Sequence, residues 1–266
     1  MRIYPLYPGK RRKAFTLSYD DGVKQDIRFV ELLNKYGLKC TFNLNSGLLT
    51  RRERTTGEMI KTYEGHEVAV HSVTHPFLER LSKQAMTSEI FKDRETLEEI
   101  FGGSIRGGAY PFGTYDDNVL SVLEDCGIKY FRTVKSSENF NPPKNWLLLE
   151  PTCHHNNPKL FELCDRFINT DPRFYPLYLF YVWGHTYEFD NNDNWDMIEE
   201  FFKKVSEQDQ VWYATNIEIY DYLDAFNALQ TSLDCRYIHN PTGKTICFTC
   251  EAGDMEIGSG ETINLR

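Results

Sequence analysis

The chain has 266 residues, 41% hydrophobic and 26% charged, which fits one large α/β domain or a barrel and excludes a disordered polypeptide. A formal net charge of −9 argues against a nucleic-acid partner, because phosphate binding needs concentrated Lys and Arg. The only basic run, Lys10-Arg11-Arg12-Lys13, reads as a solvated approach to the first strand.

Taken in order, Ala14–Tyr19 is a short apolar strand that closes on Asp20-Asp21-Gly22. Ile27, Val30, Leu33 and Tyr36 recur every three residues, predicting a helix stopped at Gly37. Cys40–Leu44 is the second strand, and a helix around Glu58–Tyr63 leads into the strand His66–Val70, which runs into His71. Ser82–Phe101 is helical in pattern, Ser104–Tyr110 is a strand ending at Pro111, and Tyr115–Cys126 is a helix closed by Gly127. Strands are expected at Lys129–Val134 and Leu147–Leu149, then helices at Pro158–Ile168 and Trp195–Ser206 around the strand Leu177–Trp183. Val211–Thr215 and Ile217–Leu229 give a last strand and helix.

Strands alternating with helices imply mainly parallel pairing through helical crossovers. Residues 231–266 change to short β-type runs broken by Asn240-Pro241 and several glycines. The expected division is a barrel-like unit over 1–230 and a small β appendage over 231–266.

No stretch is apolar enough to span a bilayer and no signal-peptide core opens the chain, so no membrane association is expected. Seven scattered cysteines are an odd number, and Cys247-Phe248-Thr249-Cys250 lacks a second CxxC to complete a zinc site. They read as reduced thiols of a cytoplasmic protein.

Four polar clusters sit at the C-terminal ends of the predicted strands. They are Asp20-Asp21, His71 with His75, Tyr110-Pro111-Phe112-Gly113, and Trp183-Gly184-His185. In a barrel of parallel strands those ends open on one face. Two imidazoles four residues apart can share one metal ion, and Pro76 argues for a tight loop there, not a helix. Adjacent carboxylates at a strand end point in different directions, so one can ligate while the other serves as a base. Asp21 with His71 and His75 is a His₂-carboxylate set with positions left for water and substrate.

This combination resembles the NodB-type polysaccharide deacetylases, metal-dependent carbohydrate esterases. Leu17-Ser18-Tyr19-Asp20-Asp21-Gly22 is similar to the family's first motif, and His71–His75, followed by Pro76, to its His-Ser/Thr-x-x-His motif. The likeness covers about residues 14 to 225. It implies an irregular (β/α) barrel with fewer strands than an eightfold one. It implies that Asp20 is the general base and that Asp21, His71 and His75 hold one divalent ion, zinc first, with cobalt, nickel or manganese as alternatives. His185 matches the late histidine that protonates the leaving amine, and Trp183 would wall the acyl pocket. The backbone N–H of Tyr110 or a neighbour would hold the oxyanion, with Pro111 and Phe112 beside it.

Two departures from the family pattern stand out. The arginine expected two residues before the third-motif proline is Ala109, so Arg106 or Arg132 would have to reach the catalytic aspartate from elsewhere. The Asp-Trp element that tunes the acid histidine is missing after Phe131-Arg132-Thr133, and Glu188 is the candidate partner for His185. His154-His155 would face opposite ways on a strand, which argues against a second metal site there. Asn43 and Asn45 are candidate substrate contacts, whereas His66 and His239 read as structural or surface residues. The implied activity is removal of an N-acetyl or O-acetyl group from a saccharide or small oligosaccharide. The alternatives are an amidase acting on a non-sugar C–N bond and an inactive carbohydrate-binding protein.

Overall fold

The computed structural model describes residues 2–49, 55–172 and 177–265. Its elements run β1 (Tyr4–Leu6), β2 (Lys13–Asp20), α1 (Asp26–Lys35), β3 (Thr41–Leu44), α2 (Ser46–Leu49), α3 (Thr56–Tyr63), β4 (Glu67–Val70) and α4 (Lys83–Phe101). Next come β5 (Gly107–Ala109), α5 (Asp117–Asp125), β6 (Tyr130–Arg132), β7 (Cys153–His154), α6 (Leu160–Asn169) and β8 (Tyr178–His185). Then follow α7 (Tyr187–Asn191), α8 (Trp195–Val205), β9 (Val211–Tyr213) and α9 (Asn216–Asn227). Five short strands close the chain: β10 (Gln230–Thr231), β11 (Tyr237–His239), β12 (Ile246–Cys250), β13 (Gly253–Ile257) and β14 (Thr262–Asn264).

Eight strands form one parallel sheet in the order β6-β5-β4-β3-β2-β8-β7, with β9 paired to the first half of β2. The edges meet through residues 149–152. Leu149 bonds Phe131 and Thr133 of the β6 side, and the Thr152 N–H donates to Tyr181 of β8 at 2.8 Å. This is the irregular (β/α) barrel that the resemblance implies, with seven strands along its path and β9 beside β2.

Every residue of β2 is buried, because one face meets helices and the other fills the lumen. Phe15, Leu17 and Tyr19 point into the aromatic core with Phe29, Phe42 and Phe202. Thr16, Ser18 and Asp20, the alternate positions, join a polar file inside the barrel. Thr16 Oγ1 donates to Asn216 Oδ1 at 3.0 Å, Asn216 Nδ2 to Tyr181 Oη at 2.7 Å, and Asn43 Nδ2 to Ser18 Oγ at 2.8 Å.

Helix boundaries follow local chemistry. Thr55 with Glu58 and Thr215 with Glu218 form capping boxes, Ser82 and Asp116 cap α4 and α5, and Gly37 and Gly127 follow α1 and α5 at positive φ. Two expectations fail. Leu147 and Leu148 lie in a 3₁₀ turn, and Leu149 alone makes a bridge to Arg132, since the segment pairs for one residue only where it closes the barrel. Ile27 is 45% exposed, while Asp26 turns inward to accept from Tyr63 Oη and Thr186 Oγ1.

After α9 the strands are antiparallel. One three-stranded sheet is β10-β11-β14, and the other is β1-β12-β13, so a strand near the start of the chain completes a sheet built from its end. Cys247 is buried in β12, and Cys250 lies 3.8 Å from the Met255 sulfur. Among the described residues no helix is long and apolar enough to cross a membrane.

Candidate functional site

The ends of β2, β4, β5, β6 and β8 bring Asp20, Asp21, His71, Tyr110, Arg132 and His185 to one mouth of the barrel. The ligand atoms of Asp21, His71 and His75 lie within 4.8 Å of one another. His71 Nε2 is 4.0 Å from Asp21 Oδ1 and 3.9 Å from Asp20 Oδ2. His71 Nδ1 lies 2.8 Å from the Ala109 carbonyl, so that nitrogen carries the ring proton and the Nε2 lone pair faces the carboxylates. Two imidazoles and a carboxylate, with one imidazole fixed in the metal-binding tautomer, are a donor set that fits a divalent ion such as zinc.

The backbone here is held in unusual conformations. Asp21, Ser72, His75 and Phe112 have φ of 78°, 66°, 59° and 58°, and all four lie at this mouth. Non-glycine residues hold such angles only where their surroundings enforce them. Around His71 and Ser72 the restraints are visible. Asp93 of α4 accepts from the His71 N–H at 2.9 Å and the Ser46 N–H at 2.7 Å. Burial pushes its carboxyl up to about 7. Asn45 Nδ2 donates to the carbonyls of His71 and Ser72 at 2.6 and 3.0 Å.

Asp20 is buried, with its two oxygens held from different strands. Asn43 Nδ2 donates to Oδ1 at 2.8 Å, and Arg132 Nη2 pairs with Oδ2. Burial would raise this carboxyl, but the Arg132 guanidinium leads the positive charges that lower it to about 2. The side-chain amide nitrogens of Asn43 and Asn45 are therefore committed to protein partners, not turned to substrate. Both are fully buried.

Arg132 supplies what Ala109 lacks. It is fully buried, its guanidinium lies 4.3 Å from the Trp183 ring, and its Cα is the register partner of Ala109 on the next strand. Arg106 does not reach the site, because it forms a two-pronged pair with Asp221 of α9 at 2.9 and 2.8 Å.

His185 Nε2 stands 3.9 Å from Asp20 Oδ2, and its Nδ1 stands 3.3 Å from Glu188 Oε1. Burial opposes its protonation, yet the Glu188 carboxylate beside Nδ1 and the nearby aspartates raise its pKa. Glu188 also meets His154 Nε2 at 3.2 Å and His155 Nε2 at 3.0 Å. These rings converge, contrary to strict alternation, because β7 is two residues long and the chain turns at His155.

The Tyr110 N–H donates to the Arg132 carbonyl at 3.0 Å, and its hydroxyl donates to the Leu147 carbonyl at 2.8 Å. That amide is therefore not available to an oxyanion. Pro111 has no N–H, so the next backbone donor along the chain is Phe112. Its ring is half exposed, edge-on to His75 at 4.5 Å and stacked on Phe77 at 3.9 Å.

The family profile for polysaccharide deacetylases matches residues 8–131. Over this stretch, somewhat less than half of the chain, the sequence is similar to polysaccharide deacetylases. The matched stretch holds Asp20, Asp21, His71 and His75 and stops one residue before Arg132, the residue that moved. Among curated relatives, a peptidoglycan-N-acetylglucosamine deacetylase of Bacillus cereus is 28% identical over 111 residues, 41% of this chain and 39% of that protein. Chitin deacetylase 1 of Cryptococcus neoformans is 25% identical over 119 residues, 44% of this chain and 25% of that one. The aligned part is less than half the length of these relatives.

Solved structures share the fold. A polysaccharide deacetylase homologue from Mycobacterium smegmatis superposes with a TM-score of 0.63 at 16% identity, covering 86% of this chain and 96% of the other. A CE4 family pseudoenzyme from Bacillus anthracis gives 0.56 at 20% identity, covering 82% and 68%. A barrel of this shape thus occurs in a protein described as a pseudoenzyme, so activity has to be argued from the residues.

Proposed function

We propose that the protein is a metal-dependent hydrolase that removes an acetyl group, N-linked first, from a saccharide. The observation that carries this reading is the convergence of Asp21, His71 and His75 beside a buried ionised Asp20 and a His185 that favours its protonated form. A binding protein would need neither the base nor the acid.

Asp21, His71 and His75 would hold the divalent ion, whose chemistry when bound is to polarise the acyl carbonyl and acidify water. Asp20 accepts a proton from the attacking water as the new C–O bond forms. Arg132 and Asn43 keep its carboxylate ionised and aimed. The Phe112 amide is the candidate donor to the oxyanion. His185 gives its proton to the leaving nitrogen as the C–N bond breaks, so acetate and a free amine result. The exposed Phe112 ring offers a flat apolar surface for a sugar face beside His75.

The test is acetate release from a panel of acetylated sugars, with and without chelator, for wild type and Asp20→Asn. Chelation should abolish release. Asp20→Asn should still bind zinc while losing about 10²- to 10⁴-fold in kcat, the usual contribution of a positioned base. Release unchanged by metal removal, or by Asp20→Asn, overturns the mechanism. Release from non-sugar amides alone overturns the substrate class.

A further inference from the structure

His154, His155 and Glu188 form a second group with metal-ligand chemistry, their ligand atoms within 4.8 Å of one another. Whether it holds a cation depends on where the ring protons sit. A neutral imidazole has one N–H and one lone pair, and a metal takes the lone pair.

In His71 the Ala109 carbonyl draws the proton to Nδ1 and leaves Nε2 open. His154 is the reverse. Its Nδ1 accepts the Asn156 N–H at 3.1 Å, so its proton lies on Nε2, 3.2 Å from Glu188 Oε2. The nitrogen that faces the cluster is thus a donor, and a cation there would have to displace that proton while Asn156 still occupies Nδ1.

His155 is 1% exposed and stacks on Tyr19, its ring parallel to within 4° at 5.6 Å. Neither ring nitrogen makes a well-aligned hydrogen bond, and Nδ1 lies against Gly184, where a Cβ would come within 1.9 Å of it. Nε2 is the nitrogen that faces a polar atom, Glu188 Oε2 at 3.0 Å, so the proton belongs there. Burial pushes the ring down to about 4, which keeps it neutral. Two N–H groups therefore face Oε2, with Asn156 Nδ2 at 3.4 Å, and Oε1 lies 3.3 Å from His185 Nδ1 as an ionic contact.

We propose that His154, His155 and Glu188 are a positioning clamp, not a second metal site: two neutral imidazoles fix the carboxylate, and the carboxylate fixes His185 with Nδ1 protonated and Nε2 turned toward Asp20. The part that concerns turnover rests on the deacetylase reading above, with His185 as the acid. The clamp also accounts for the missing Asp-Trp element. A carboxylate from the turn after β8, braced by the end of β7, does the orienting instead.

The test uses zinc-loaded full-length protein as wild type, His155→Leu, His155→Gln and the more exposed His154→Leu. Nitrogen-15 shifts of the imidazoles should show His185 with Nδ1–H in wild type and in His155→Gln, whose amide can donate to Glu188. A mixture of tautomers should appear in His155→Leu. In acetate release, the leucine variants should lose about 10- to 100-fold in kcat, the usual cost of an orienting partner, with KM within about twofold. His155→Gln should stay within about threefold of wild-type kcat. Zinc titration should give one equivalent in every variant.

Should His155→Leu fail to fold, His154→Leu decides by the same readouts. Two zinc equivalents in wild type and one in a leucine variant would overturn the clamp, as would a His185 tautomer indifferent to both leucine substitutions. Should wild type release no acetate, the tautomer and zinc measurements still decide the clamp, and the deacetylase reading alone falls.

Discussion

Replacing Arg132 by alanine removes the guanidinium paired with Asp20, and both side chains are buried, 0% and 3% exposed. Breaking such a pair strands a charge in a low-dielectric interior at a cost of about 3–5 kcal/mol. For a chain of this size each kcal/mol is worth roughly 2–4 °C, so Tm should fall by about 10 °C. Burial would then raise the Asp20 carboxyl without its main opponent, moving it up from about 2 and lifting the acidic limb of the kcat/KM profile. The loss of activity should be larger at pH 5 than at pH 8. The informative construction is the double exchange Ala109→Arg with Arg132→Ala. Positions 109 and 132 are register partners on adjacent strands, so the new guanidinium enters from the neighbouring strand into the vacated space. It should recover at least half of the lost Tm and move the acidic limb back. A single variant that loses less than about 2 °C and keeps its pH profile would refute the pairing argument.

Three further outcomes follow from particular contacts. Gly184→Ala drives a methyl group into the His155 ring, 1.9 Å from Nδ1, and should cost about 1–3 kcal/mol; an unchanged denaturation midpoint would contradict the packing there. Burial holds both His66 and His155 at about 4, below the unfolded 6.5. The unfolded chain therefore binds protons first, and stability that is complete above pH 6.5 drains away toward pH 4, by up to about 3 kcal/mol for each residue. Tm measured from pH 8 to pH 4 should show that slope, reduced in His66→Gln, and a flat profile would rule it out. Phe112→Ala should raise KM for acetylated sugars by about tenfold while zinc affinity stays the same; equal kinetics would show that the ring does not touch substrate.

How far the sequence could be read depended on whether a residue acts through its own strand or through a neighbour. Asp20, Asp21, His71 and His75 were legible because each lies at or just beyond a strand end, and period and turn signals locate strand ends. Arg132 was one of two candidates, since reach across a sheet depends on register, which a single strand's pattern does not contain. Arg106 had the closer sequence spacing and lost because its side chain meets Asp221. Asp93 gave no usable signal. It lies mid-helix among charged residues, and only the packing of α4 on β4 turns it inward to hold the His71 backbone. The convergence of His154 and His155 was misread for a related reason: alternation holds along a strand, and this one ends after two residues. The pairing of β1 with β12 joins residues more than 240 positions apart, and no local pattern announces it.

The polar file inside the barrel has a bearing on which sequences the fold can explore. Ser18, Asn43, Asp20 and Arg132 bond one another, as do Thr16, Asn216 and Tyr181, so a change at one position strands its partner in a dry interior. Such positions should drift as linked pairs, Ser18 with Asn43 and Thr16 with Asn216, while the aromatic shell around Phe15 and Phe29 exchanges large side chains one at a time. The lumen would then hold the lineage's memory of its chemistry, and the outer shell would record only its size.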